Sequence, residues 1–372
     1  MATKESNPFE KLSRDLITEI LSRLPVKSLL KSSCVSRSWH SHISSPEFQT
    51  TYLQVSNTRP RLVFGSASAL YTCSLSHIFD EHPFVDDALL DFASHDPYDM
   101  IQIAGSCNGL VCLVFLRTGY IIIWNPAIRK YRRLPSPWPN NLRERYGFGY
   151  DASSYDYKVL HIVHESDSTS YSRIYSLRNN SWKSSHWPRG MTTFGRSGMF
   201  MNGAIHWIVH YNDNINGATV WAVVAQSLAR GHFVWNVELP LQRDESRVMS
   251  AFLGVLGERL CVCLDCGFEM EVWVMEEYGV EGCWSKVFCM DNYDLGMDPL
   301  IVTEKGVVTT KIDSSLVSHI LFGNREIIHL NNNNYVRAIT YAESFVNPNL
   351  FHVVEAFGSL KINFFTLKNY LL

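Results

Sequence analysis

Nowhere in the 372 residues is there an unbroken apolar run of the about eighteen positions that a membrane-spanning helix needs. The first ten residues, with Lys4, Glu5, Asn7 and Pro8, also lack an apolar stretch of signal-peptide length. The expectation is a protein of the cytoplasm and/or nucleus with no membrane partner. Positive charge is not in excess: 33 Lys and Arg against 36 Asp and Glu give a formal charge of −3, which argues against nucleic acid as a general partner. The nine cysteines are odd in number and scattered, so no disulfide framework is expected. Cys261, Cys263 and Cys266 sit close together, yet no second Cys or His pair stands at zinc-finger spacing, and alternate strand positions make Cys261 and Cys263 core thiols. The histidines are dispersed, with His161, His164, His206 and His210 at strand ends as structural residues. A glycine-rich phosphate loop, a serine elbow and a paired-carboxylate motif are all missing. No metal, no cofactor and no catalytic residue is therefore expected.

What the sequence does have is enough apolar surface to fold, 46% hydrophobic residues and 13% aromatic, distributed in two unlike patterns. From Leu12 to Ile43 the spacing is helical. Leu16, Ile17, Ile20, Leu21 and Leu24 form one stripe, and Val26, Leu29 and Leu30 form another after Pro25. Ser13 is placed to cap the first helix, Asp15 suits its positive end, and Pro25 stops it. A second helix runs from Val26 to about Val35. A third, short one carries Trp39, with Pro46 as its stop. Three helices in about forty residues are too few to close a core of their own, so their stripes require an outside partner.

The segment LSRDLITEILSRLPVKSLLKSSCVSRSWHSHISSPEF, Leu12 to Phe48, resembles the plant F-box nearly end to end, most specifically in Ile20 to Leu30 and Val35 to Trp39. It departs at the start, where the family has Leu-Pro and this chain has Leu12-Ser13. The resemblance implies docking onto a Skp-type adaptor, and through it onto cullin and RING components. The positions it carries over are Leu12, Leu16, Ile20, Leu24, Pro25, Val26, Leu29, Val35 and Trp39, as interface or its support. Ile17 and Leu30 read instead as internal core.

After Thr58 the pattern changes to short β-branched and aromatic runs. A turn and strand recur about every fifty residues, in CNGLVCLV from Cys107, YDYKVLHIV from Tyr155, MNGAIHWIV from Met201, LGERLCVCL from Leu256 and TEKGVVTTKI from Thr303. Tyr131, Trp182, Trp235 and Trp284 recur with the same period in the last strand of each unit. Units of roughly four strands at this period are propeller blades. Six are counted, at 61–98, 101–146, 147–196, 197–249, 250–298 and 299–345, with Arg61 onward or Phe351 onward completing a shared blade. A β-sandwich or open curved sheet is the alternative architecture.

The fold class is thus α+β multidomain: a short N-terminus (1–9), a three-helix F-box-like unit (10–50), a linker (51–60) and an all-β, kelch-like propeller of about six blades (61–372). The second part resembles the F-box-associated domain through SCNGLVCL, WNPAIRKYRRLP, GFGYDASSYDYKVL and YSLRNNSW, between Ser106 and Trp182. That resemblance implies the substrate-recognition subunit of an SCF ubiquitin ligase, non-catalytic, with an unidentified target protein on the β domain. A propeller enzyme and a ubiquitin-independent scaffold are the competing readings. Loops vary while blades repeat, so target contacts are expected in the insertions 136–146, 186–196, 211–217, 241–247 and 291–298. Trp138, Arg145, Trp187, Arg189, Tyr211 and Tyr293 are the anchor types there. Arg129, Lys130, Arg132, Arg133, Arg143 and Arg145 make one basic cluster, read as a solvated hairpin flank, with pairing to an acidic or phosphorylated target segment as the alternative.

Overall fold

The computed structural model describes residues 13–66, 69–75, 86–88, 101–136, 144–165, 169–212, 219–241, 248, 250–267, 269–291, 298–303, 306–310, 316–320, 326–328 and 337–350. The chain begins with four helices. In α1 (Arg14–Ser22) the Ser13 hydroxyl accepts the Leu16 N–H at 3.3 Å, and Asp15 lies in the first turn. Pro25 separates it from α2 (Val26–Ser33). Ser36 caps α3 (Arg37–Ile43) by accepting the Trp39 N–H at 3.1 Å.

The fourth helix, α4 (Pro46–Asn57), corrects the expectation of three helices, a stop at Pro46 and a linker from 51. Ser45 caps it, accepting the Phe48 N–H at 3.3 Å, and Pro46 fills the first turn, where a missing N–H costs nothing. The same proline that cannot continue a helix is well suited to begin one. Phe48, Tyr52 and Leu53 of α4 are buried.

The β region is a ring of four-stranded antiparallel meanders. The first unit holds β1 (Arg61–Ser66), β2 (Ala69–Ser74) and β3 (Asp86–Ala88), and the second β4 (Ile101–Cys107), β5 (Leu110–Phe115), β6 (Ile121–Asn125) and β7 (Lys130–Leu134). The third is β8 (Glu144–Asp151), β9 (Asp156–His164), β10 (Ser170–Ser176) and β11 (Ser181–Ser185). The fourth is β12 (Thr192–Met201), β13 (Ala204–Asn212), β14 (Thr219–Ser227) and β15 (Phe233–Glu238). The fifth is β16 (Ser250–Leu256), β17 (Arg259–Asp265), β18 (Glu269–Met275) and β19 (Trp284–Asp291). The sixth is β20 (Asp298–Thr303), β21 (Gly306–Thr310), β22 (Leu316–Ile320) and β23 (Glu326–Ile328).

A last strand, β24 (Arg337–Tyr341), returns to pair with β1, Arg61 opposite Tyr341 and Gly65 opposite Arg337, and supplies the first blade with its inner strand. The ring therefore closes within six blades, as the repeat count predicts. The closing strand is Arg337–Tyr341, while the Phe351 phrase lies outside the described residues. Strands β4, β8, β12, β16, β20 and β24 neighbour one another around the centre, and β8 and β12 meet in parallel at Tyr146 and Ser197.

Each recurring sequence landmark has a structural counterpart. The five repeated turns join the first and second strands of their blades, and Tyr131, Trp182, Trp235 and Trp284 all lie in fourth strands. The Asn108-Gly109 and Asn202-Gly203 pairs have φ of 51° and 80°, and 50° and 74°, the left-handed geometry that tight hairpins demand. The blades are glued by buried aromatic and aliphatic side chains, with Tyr146, Phe148, Tyr157, Tyr175 and Trp207 fully inside. Two fourth-strand tryptophans also tie neighbours together: the Trp182 indole donates to Pro135 O at 3.0 Å, and Trp284 to Glu238 O at 2.9 Å.

Candidate functional site

Four strands is an even number, so a meander that leaves one end of the ring returns to that end before it enters the next blade. Two classes of connection follow, and they fall on opposite ends. The end reached by first-to-second and third-to-fourth strand turns carries the short, tight ones, such as 108–109, 126–129, 152–155, 177–180 and 202–203. The strand ends flanking all five insertions singled out from the sequence lie at the other end.

The helices sit on the short-turn end. Their apolar centre, Leu21, Val26, Leu29, Ile43, Phe48 and Tyr52, is completed by Ala127 and Ile128 from the β6–β7 turn and by Phe345 beyond β24. Glu343 accepts the Val26 N–H at 3.0 Å and the Tyr52 hydroxyl at 3.1 Å. Burial and the adjoining Glu343 carboxylate push the Tyr52 hydroxyl far above its ordinary pKa, which keeps it a donor. Arg59 reaches back to the Arg23 and Ser22 carbonyls at 2.7 and 3.0 Å, at the negative end of α1. The helical unit finds part of the cover for its core on its own ring, which corrects the expectation that only an outside partner supplies it.

What remains uncovered is selective. Leu16 is 48% exposed, Ile20 50%, Leu30 41% and Val35 75%. Leu16 and Ile20, four apart, share one face of α1. Pro25 is exposed, and Leu24 and Trp39 are half-buried against the helical core. Val26 and Leu29 are fully buried, so they can support an interface and cannot form one. Of the two residues expected in the internal core, Ile17 packs on it, whereas Leu30 faces outward, which corrects that expectation. Leu12 lies outside the described residues.

Among the expected target anchors, Arg189 is exposed in the β11–β12 connection, and Arg145 is half-buried with a guanidinium nitrogen donating to Glu144 O at 3.0 Å. Tyr211 is half-buried, and its hydroxyl accepts from Asn236 at 3.0 Å. Trp187 is no surface anchor: it is 4% exposed, donates to Met191 O at 2.8 Å and packs edge-on to Trp207 and Phe233. Its flat ring fills the junction between third and fourth blades. Trp138 and Tyr293 lie outside the described residues. The basic cluster is divided, because Arg129 belongs to the β6–β7 turn beside the helices while Arg133 lies near the opposite end of β7, its guanidinium over the Tyr120 ring at 3.2 Å.

The phrases that carry the family resemblance turn out to staple the helical end. Asn125 donates to Ser344 O at 3.0 Å and Val346 O at 2.9 Å and accepts the Ala127 N–H at 2.9 Å. Asp151 accepts from Ser153, Ser154 and Lys158, and Lys158 also donates to Leu228 O of the next blade at 2.8 Å. Burial alone would raise the Asp151 carboxyl, but those hydrogen bonds outweigh it and hold the pKa to about 2. In the fifth blade Cys261 and Cys263 face one buried cluster with Met270, Val272 and Val274, and burial pushes the Cys261 thiol up to about 12. They are inert core thiols.

A partly self-covered helical hook seated on one end of a closed six-bladed ring, its polar motifs spent on structure, defines a two-part binding protein. Residues 9–51 match the F-box domain, and residues 65–356 match the family described as the F-box associated beta propeller domain. The chain belongs to that family of plant F-box proteins. An F-box/kelch-repeat protein of Arabidopsis thaliana is 29% identical, spanning 84% of this chain and 89% of its own length. The F-box protein CPR1 of the same plant is 27% identical over 75% of this chain and 72% of its own. Among solved structures, a chain of a nidogen/laminin complex aligns at a TM-score of 0.47 and 11% identity, covering 77% of this chain and 99% of that one. The pairing of an F-box with its associated propeller supports a role as an SCF substrate receptor in general, and F-box relatives suggest a non-catalytic one.

Proposed function

We propose that this protein is the substrate-recognition subunit of an SCF ubiquitin ligase: the helices bind a Skp-type adaptor, through it cullin and RING components, and the ring holds a target protein for ubiquitination and degradation. The observation that carries the reading is the outward apolar set on the helices, Leu16, Ile20, Leu30 and Val35. Their neighbours Val26, Leu29 and Phe48 are closed over by Phe345 and the β6–β7 turn, so what is left outside is surplus to the fold and suited to a partner. The insertions at the opposite end supply a separate surface for the target, with Arg145, Arg189 and Tyr211 as candidate contacts. The compartment that fits is cytoplasm and/or nucleus.

The test is adaptor affinity of the full chain carrying Leu16→Asp and Ile20→Asp. Charges on an apolar interface centre are expected to weaken binding at least about thirtyfold each, as hot-spot losses do. Both residues are exposed, so the melting temperature should stay within a few degrees of wild type. Unchanged affinity for a purified Skp-type adaptor would overturn the assignment.

A further inference from the structure

We propose that Glu343 and Phe345 are positioning residues of the adaptor-binding unit, so that the helices reach full affinity for the adaptor only when the C-terminal strand has closed the ring. The inference rests on the reading that the helices bind a Skp-type adaptor.

Helix α2 starts directly after Pro25, a residue with no side-chain acceptor to cap it. Its first N–H groups are orphans unless something else serves them. The Glu343 carboxylate, 317 residues away in sequence, accepts the Val26 N–H at 3.0 Å, placing negative charge at the positive end of the helix. The same oxygen accepts the Tyr52 hydroxyl, which also stands 3.1 Å from Leu24 O. Leu24 and Pro25, two of the positions expected to form or support the adaptor interface, are thereby held between α1 and a capped α2. Phe345 seals the apolar centre below them, its ring 5.2 Å from that of Tyr52 and 6.5 Å from that of Phe48.

These two residues cannot be in place unless the ring is closed. They follow β24 by two and four positions, and β24 is the strand that pairs with β1. Asn125 of the second blade clasps the backbone on either side of Phe345 through Ser344 O and Val346 O. Gly109 leaves the room this requires, since a Cβ there would fall 2.1 Å from the Ser344 hydroxyl oxygen. One short stretch, 337–346, therefore both closes the propeller and finishes the helices. With the strand out, α2 is uncapped and its core is open, and apparent adaptor affinity falls with the fraction of competent helices. By reciprocity, a bound adaptor strengthens ring closure. The helices, made first, become fully competent only after nearly the whole chain has folded.

The test uses full-length protein and a purified Skp-type adaptor. Glu343→Ala is expected to bind about tenfold more weakly than wild type, the scale of a lost helix cap. Glu343→Gln keeps a carbonyl that accepts both hydrogen bonds and is expected to recover most of the affinity. In the wild type, adaptor is expected to slow amide hydrogen exchange in β1 and β24, and in Glu343→Ala to do so less. Wild-type affinity in a folded Glu343→Ala protein would overturn the proposal while leaving adaptor binding intact. If Glu343→Ala does not fold, Tyr52→Phe, which deletes only the hydroxyl, is expected to weaken binding about threefold. Equal affinity there would overturn it too. A wild-type protein that does not bind the adaptor removes the underlying reading, and this inference with it.

Discussion

The two ends of the ring are built for different work. At the helical end many turns are tight, several need left-handed residues such as Asn108 and Asn202, and polar side chains hold them: buried Asn125 on the closing segment, buried Asp151 and half-buried Lys158 between blades three and four. At the other end the strand ends flank the five insertions, Arg189 is exposed, and variation costs the scaffold little. A hydrogen-bonded seat on one side and a loop-bearing surface on the other give one propeller a mount for the helices and a separate face for a second partner.

That contrast can be broken most sharply at Asn125. Asn125→Ala removes donors from buried Ser344 and Val346 carbonyls and is expected to cost about 3 kcal/mol of stability, measured by denaturant unfolding. Acid should act on the same end. His206 is fully buried, and its Nδ1–H donates to Met199 O, which leaves Nε2 to accept the Tyr278 hydroxyl at 2.7 Å. Burial lowers its pKa to about 4, so below pH 6.5 the unfolded chain binds the proton more readily than the folded one.

Stability is therefore expected to fall by about 3 kcal/mol as pH drops from 6.5 towards 4, and His206→Gln should lack that slope. Asp151 acts in the next window: its depressed carboxyl contributes stability above about pH 4 that is lost as pH falls towards 2, where protonation breaks its bonds to Lys158, Ser153 and Ser154. The smallest effect is expected at the far end, where Arg189→Ala should shift stability by less than about 0.5 kcal/mol. A large loss there would erase the distinction between the ends.

The blades were legible in the sequence because most share one local chemistry: the repeated first turn recurs in blades two to six, and an aromatic fourth-strand residue in blades two to five. Three points were not. Pro46 reads as a stop when only its missing N–H is considered, while Ser45 before it marks a start. The helical stripes were visible, but periodicity does not say whether an apolar face meets a partner or the same chain. Val26 and Leu29 turned inward and Leu30 outward because Phe345 and the β6–β7 turn, distant in sequence, chose which face to cover. Trp187 was legible as aromatic and loop-borne; its burial between Trp207 and Phe233 depends on blades that sequence spacing does not orient.

The most direct test of the account is an amide hydrogen-exchange footprint of a purified Skp-type adaptor on the intact chain. The account predicts slowed exchange in α1, α2 and α3 and no change in the β11–β12 connection around Arg189. Protection confined to that connection, or no protection in the helices at saturating adaptor, would contradict it.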